Sequence, residues 1–226
     1  MTSRIQSVRT SRQLRALTLA LILSCVFTFP AQAKKITGYP DLTSFIESVR
    51  DGNSNILRGV YVQELMALQI IQQPAGFPGF VSQNQGQLTQ FGMAEEAGNV
   101  GLLAHNYLSG QLFSLLVQGD SVNLVYGDGR TESFVVTRIL QYQALDPNNP
   151  NSDFIDLETQ TMISAEQLFN QVYRGGRHVT FQTCIEADGN LSWGRLFVIA
   201  EPTTDTIIPS AHTYYGNTYE WLWGNK

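Results

Sequence analysis

Short apolar runs separated by polar, glycine-bearing stretches dominate the chain beyond residue 55. Gly59-Val60-Tyr61-Val62 and Ala67 to Ile71 are rich in β-branched and apolar residues. Val100 to His105 is a compact run of the kind that fills a buried strand. Ser121 to Tyr126 and Ser133 to Leu145 form a pair joined through Gly127-Asp128-Gly129. Asp-Gly favours the positive φ angles of a tight hairpin turn. His178 to Cys184 and Arg195 to Ala200 are two further strands, separated by a polar loop around Asp188-Gly189-Asn190. Helical periodicity is confined to two places. Pro40-Asp41 opens a short helix with the stripe Phe45, Ile46 and Val49, ended by Gly52. Ser164-Ala165-Glu166-Gln167 reads as a capping box for a helix whose inner face is Leu168, Phe169 and Val172, closed by Gly175-Gly176. Pro74 to Asn84 is a loop by composition. Strands without βαβ alternation predict a mostly β chain, a barrel or sandwich in one domain with few and short helices.

The ends differ from this middle. Residues 1–15 hold four arginines and no acid, residues 17–29 are apolar, and Ala31-Gln32-Ala33 supplies a small-x-small cleavage pattern. Residues 1–33 therefore read as a secretory signal peptide, and the mature chain as secreted, in the periplasm or at the cell surface. Left uncleaved, the same segment would hold the protein at a membrane surface. Residues 34–55 form a leading segment with the short helix, 56–201 the main β domain, and 202–226 a tail. The tail crowds His212, Tyr214, Tyr215, Tyr219, Trp221 and Trp223 together and is expected to pack on that domain. Beyond residue 33, ten Lys and Arg face nineteen Asp and Glu. So acidic a chain has no positive field for phosphates, and nucleic acid is excluded as a partner. Asp146 to Asp153 looks like a calcium loop, but Pro150 stands where a ligand belongs and the glycine is missing, so it reads as a turn. With Cys25 in the signal segment, Cys184 is the mature chain's one thiol, which excludes an internal disulfide and Cys-rich metal centres. No metal or other cofactor is expected.

Chemistry then rests on few residues. Cys184 closes an apolar run before a polar loop, a position from which a rigid scaffold presents a nucleophile. A thiol needs a base or a cation nearby. His105 also closes a strand, and Arg195 opens one. A nucleophile, a proton-transfer group and a cation thus sit at three strand boundaries.

Thr180-Phe181-Gln182-Thr183-Cys184 resembles the T-L-x-T-C signature of sortases, the cysteine transpeptidases of bacterial surfaces. Leu102-Leu103-Ala104-His105 is similar to the sortase strand that ends in Gly-His, and Phe113, Leu116 and Gly119-Asp120 follow in the family's order. Arg195-Leu196-Phe197-Val198 resembles its R-L-[IV]-V strand, and the likeness spans residues 56–201. Ala104 and Phe181 depart from the family's Gly and Leu. The resemblance implies a mostly β fold, a single closed sortase-like β-barrel with a few short helices, and a catalytic set of Cys184, His105 and Arg195. Cys184 would form a thioacyl-enzyme with a sorting-motif peptide, His105 would shuttle the proton, and Arg195 would stabilise the oxyanion. Thr183 would set a hydroxyl beside the thiol. An amine acceptor would release the product. Two alternatives stay open: a cysteine hydrolase on the same scaffold, and a catalytically silent binding protein.

Overall fold

In the computed structural model, residues 38–203 are described. The expected signal segment, its cleavage point and the aromatic tail beyond residue 203 lie outside them. Helix α1 spans Leu42–Val49; the Asp41 carboxylate caps it by accepting from the Ser44 amide at 3.0 Å. Phe45 from its apolar stripe packs with Tyr61 and Val125 on the outside of the sheet.

Strands β1 (Leu57–Val62), β2 (Met66–Gln72) and β3 (Gln87–Gln90) follow, then the short helix α2 (Gly92–Glu96) and β4 (Val100–Leu103). A 3-10 turn at Ser109–Leu115 leads to β5 (Ser121–Tyr126) and the long β6 (Thr131–Ala144). The β5–β6 hairpin turns where Asp-Gly predicts: Gly129 has φ +91°, and the Asp128 carboxylate accepts from the Arg130 amide. Two short strands, β7 (Phe154–Asp156) and β8 (Met162–Ile163), precede α3 (Ala165–Tyr173). The Ser164–Gln167 capping box is complete, and Leu168, Val172 and Tyr173 are the buried face of α3, with Phe169 half-buried. The chain then runs up β9 (Val179–Ala187) and back down β10 (Asn190–Pro202).

The sheet order is β10-β9-β4-β3-β2-β1-β5-β6, and β6 pairs back onto β10. These eight strands close a barrel, with β7 and β8 extending from β6. Only β2–β3 and β4–β9 run parallel among the described strands. The interior is filled from alternating positions: Val100, Leu102 and Ala104 of β4 and its continuation, Val179 and Phe181 of β9, and Leu196, Val198 and Ala200 of β10. A second apolar layer lies outside β6 and β10, where Tyr142, Phe197 and Ile199 meet Leu168, Val172 and Tyr173 of α3.

Three expected boundaries are wrong. His105 does not close its strand, because β4 ends at Leu103. Cys184 does not end its strand, because β9 continues to Ala187. Arg195 does not open its strand, because β10 begins at Asn190. The two strands form one hairpin, turned by Asp188 (φ 53°) and Gly189 (φ 74°). Glu186, Asn190 and Leu191 are exposed, so this part of the hairpin lacks the apolar alternation that marks a strand. The expected loop is a ladder without a core beneath it.

Candidate functional site

The site grows from the three strands at one edge of that hairpin. In the β9–β10 ladder Cys184 stands directly opposite Arg195. Side chains so paired have Cβ atoms roughly 5 Å apart. Both point away from the interior, since their neighbours Phe181 and Leu196 face the core and alternation turns them outward. On the other side of β9, parallel pairing with β4 sets Leu102 beside Phe181 and Leu103 beside Gln182. The next pair is Ala104 and Thr183, tied by a Thr183 hydroxyl donating to the Ala104 carbonyl at 2.8 Å. This bond continues the parallel register by one step beyond β4 and holds the start of the turn that carries His105 against β9, beside Cys184. Ala104 and Thr183, 79 positions apart in the chain, meet because β4 and β9 are parallel.

The ladder is interrupted just beyond this row. Asn190 pairs with Ala187 and Gly194 with Ile185, so Leu191, Ser192 and Trp193 bulge out. The bulge serves the site on both flanks. Its Ser192 and Gly194 carbonyls accept from Arg195 Nη1 at 2.8 and 2.9 Å, and its Leu191 carbonyl accepts from Asn106 Nδ2 at 2.9 Å. Arg195 Nη2 also donates to the Pro147 carbonyl at 3.3 Å, which ties in the loop after β6. A guanidinium has five N–H groups. Three are used by these carbonyls, and one on Nη2 and that on Nε are left for another acceptor.

His105 sits in the turn after β4, where its carbonyl accepts from the Leu108 and Gly110 amides, each at 3.0 Å. Its ring is half-buried and stacks on Tyr107 with centroids 5.1 Å apart. Burial holds its pKa below 6.5, and a backbone hydrogen bond to Val81 works against that shift. The ring is therefore neutral near pH 7 and able to accept a proton. Cys184 is a free thiol, half-buried rather than sealed in the core. Thr183, read as a hydroxyl beside the thiol, instead faces the opposite side and secures Ala104. His178 lies at the far end of β9 and is buried.

Two surface cavities, of about 240 and 580 Å³, lie elsewhere: one beside Gln141 and Leu157, one beside Arg174 and His178. Neither is lined by Cys184. Among the described residues no group of three or more His, Cys, Asp and Glu could hold a metal ion. Nor is any described helix long and apolar enough to cross a membrane. Sequence reading missed the anchors of the site: Gln83, Pro147 and the 191–193 bulge sit in polar stretches whose role depends on folding alone.

The chain is similar to solved sortases. Sortase A of Listeria monocytogenes is 12 % identical, over 68 % of this chain and 88 % of that one, with a TM-score of 0.43. The Clostridium perfringens sortase D5 transpeptidase is 13 % identical, over 74 % and 90 %, with a TM-score of 0.42. A lid mutant of Streptococcus agalactiae sortase C1 is 16 % identical, over 70 % and 73 %, with a TM-score of 0.40. No protein-family model and no curated protein matches the sequence.

Proposed function

We propose that the protein is an extracytoplasmic cysteine transpeptidase of the sortase type, acting through Cys184, His105 and Arg195. The observation that carries this reading is the register: Cys184 is paired with Arg195 across the β9–β10 ladder, and the Thr183–Ala104 bond holds the turn that carries His105 against the same end of β9. Cys184 and Arg195 face outward, beside the bulge that ends the regular ladder.

The chemistry follows from the groups. The Cys184 sulfur attacks a peptide carbonyl, and the thiol proton passes to the neutral imidazole of His105. The carbonyl electron pair moves onto oxygen, where the two uncommitted N–H groups of Arg195 meet the developing charge. Collapse of the tetrahedral adduct breaks the C–N bond, and His105 returns the proton to the departing amine. A thioacyl-enzyme is left. An incoming amine attacks it, loses its proton to His105, and releases Cys184 as a thiol. Substrate peptide and amine acceptor are the partners this reaction requires.

The test is mass spectrometry of the protein after incubation with a library of sorting-type peptides, with and without an added amine. An acyl adduct on Cys184 that the amine discharges into a ligated product supports the reading. Discharge by water alone makes the protein a hydrolase. Unmodified Cys184 across the library makes it a silent binding protein.

A further inference from the structure

The His105 ring is held by more than its turn and its backbone hydrogen bond to Val81. Gln83 Nε2 lies 2.8 Å from His105 Nε2. The same amide accepts, through Oε1, from the Tyr107 hydroxyl at 3.3 Å. Tyr107 in turn stacks on the imidazole with an interplanar angle of 16°. The three side chains close a triangle: Tyr107 covers the face of the ring, Gln83 holds its edge, and the two holders are bonded to each other. Gln83 comes from the long loop between β2 and β3, yet its backbone is fixed on both sides. The amide of buried Ser82 donates to Thr89 Oγ1 at 2.9 Å, the Ser82 hydroxyl to Gln87 Oε1 at 2.8 Å, and the Gly86 amide to Ser109 Oγ at 3.0 Å. The Gln83 side chain itself is exposed. It is therefore a free amide on a rigid support.

We propose that Gln83 is a positioning residue for His105, holding the imidazole by Nε2 in both of its protonation states. The proposal rests on the reading of His105 as the proton-transfer group. A carboxamide carries a donor on one side and an acceptor on the other. While Nε2 is bare, the amide N–H donates to it and Oε1 accepts from Tyr107. Once Nε2 carries a proton, half a turn of the amide presents Oε1 to it, and the amide N–H donates to the Tyr107 oxygen. A phenol can play either part, so the triangle closes around either protonation state and opens only while the proton moves onto or off Nε2. Glutamate would not serve, because an acceptor-only group favours the protonated ring. Alanine would leave the ring's edge to solvent.

The experiment uses the full chain and two readouts that need no peptide substrate. One is the ¹⁵N NMR tautomer and titration of His105. The other is the pH profile of Cys184 alkylation by iodoacetamide. His105→Ala is the control: an unchanged profile overturns the proton-transfer reading and this proposal with it. With that control passed, Gln83→Ala should mix the two tautomers of His105. It should also slow alkylation at neutral pH by about tenfold, a fraction of the 10²–10⁴ that a general base supplies. Gln83→Glu should raise the His105 titration midpoint by about one unit. Tyr107→Phe, which keeps the stack and loses the hydroxyl, should fall between wild type and Gln83→Ala. A Gln83→Ala protein with wild-type tautomer and profile overturns the positioning role while leaving the His105 reading intact. Should that variant fail to fold, the Gln83→Glu midpoint decides alone, and an unmoved midpoint overturns the role.

Discussion

The two ends of β9 each carry a histidine beside the strand, and they are built in opposite ways. At the lower end His178 is 4 % exposed. Its ring nitrogens face the Gly176 and Val172 carbonyls at 2.7 and 2.9 Å, and its amide donates to Asn99 Oδ1 at 2.8 Å. Asn99 Nδ2 then donates to the Tyr173 carbonyl, and Thr180 Oγ1 donates to the Val172 carbonyl. Every ring partner is backbone, so the imidazole serves as a cross-brace between α3 and the sheet. At the upper end, His105 is half-buried, and besides a backbone hydrogen bond to Val81 it has two side-chain partners, Gln83 and Tyr107. A ring bonded only to backbone is fixed once and for all. A ring that also meets a rotatable amide has a partner able to follow a change of its proton. On the proposed reading, that difference is the one between a bracing histidine and a proton-transferring one.

The sharpest division between the ends is in chemistry. Cys184→Ala should abolish the acyl adduct altogether while leaving the melting temperature near wild type, since the thiol is half-buried. Arg195→Lys should cost about 10²–10³ in acylation rate, the range seen when one oxyanion donor is lost. An ammonium group cannot hold three carbonyls and also offer a planar pair of N–H groups. Single-turnover kinetics on a responsive peptide would measure both, and an active Arg195→Lys would remove the oxyanion role.

The lower end should answer in stability instead. His178→Ala opens a cavity and removes a brace between α3 and the sheet, while the Val172 carbonyl keeps Thr180 Oγ1, for a loss of about 2–3 kcal/mol. Urea unfolding measures it. Iodoacetamide should then alkylate Cys184 in the folded variant at the wild-type rate. A slowed thiol would mean that the two ends are coupled through β9, and the contrast drawn above would fail.

Between the ends lies one residue that should show both effects. Gly110 packs against the row that carries the site: a Cβ there would collide with the Thr183 hydroxyl and come within 2.7 Å of the His105 carbonyl and 2.8 Å of the Ala104 carbonyl. Gly110→Ala must push the post-β4 turn off β9. Overpacking of this kind costs about 1–3 kcal/mol. Because the His105 carbonyl is one of the atoms displaced, reactivity at Cys184 should fall as well. A stable Gly110→Ala protein with wild-type alkylation would show that His105 is not held by this turn.

How much of this was legible follows from where the information sits. Both long helices announce themselves in local chemistry: Asp41 before the Phe45 stripe, and Ser164 with Gln167 before Leu168 and Val172. The β5–β6 turn is written in Asp128-Gly129, and the barrel in its short apolar runs. The site row of His105, Cys184 and Arg195 was readable as an order along the chain, but its geometry comes from the β4–β9 and β9–β10 registers. Strand β3 and helix α2 were missed because four or five residues carry too little periodicity to mark an element. The hairpin beyond Cys184 was read as loop because solvent on both faces removes the alternation. Thr183 was placed on the wrong side for the related reason that a one-residue difference in a strand reverses the face. Gln83 gives no signal at all: its partner is 22 positions away, beyond β3, α2 and β4.

The smallest effect concerns protons. Burial lowers the His105 pKa in the folded chain below 6.5, with the Val81 backbone bond opposing it. As pH falls through 6.5 the unfolded chain takes up this proton first, so it binds more protons than the folded one. Stability from this group is therefore full above 6.5 and is lost as pH drops towards the folded value. Other shifted groups titrate outside that window. At Glu132 burial raises the pKa, but the bonds from Arg177 and Tyr126 outweigh it and hold the carboxyl below 4.5. Asp51, bonded by the Asn53 amide and Arg58, lies below 3.8. Urea unfolding at pH 7.5 and 5.5 should thus show a loss of stability in the wild type that is reduced in His105→Gln, where no proton is exchanged. Both proteins keep His178, so its contribution cancels in the comparison. Equal losses in the two proteins would mean that the His105 ring meets as much water folded as unfolded, and the upper end would then be an ordinary surface rather than a half-closed seat for a base.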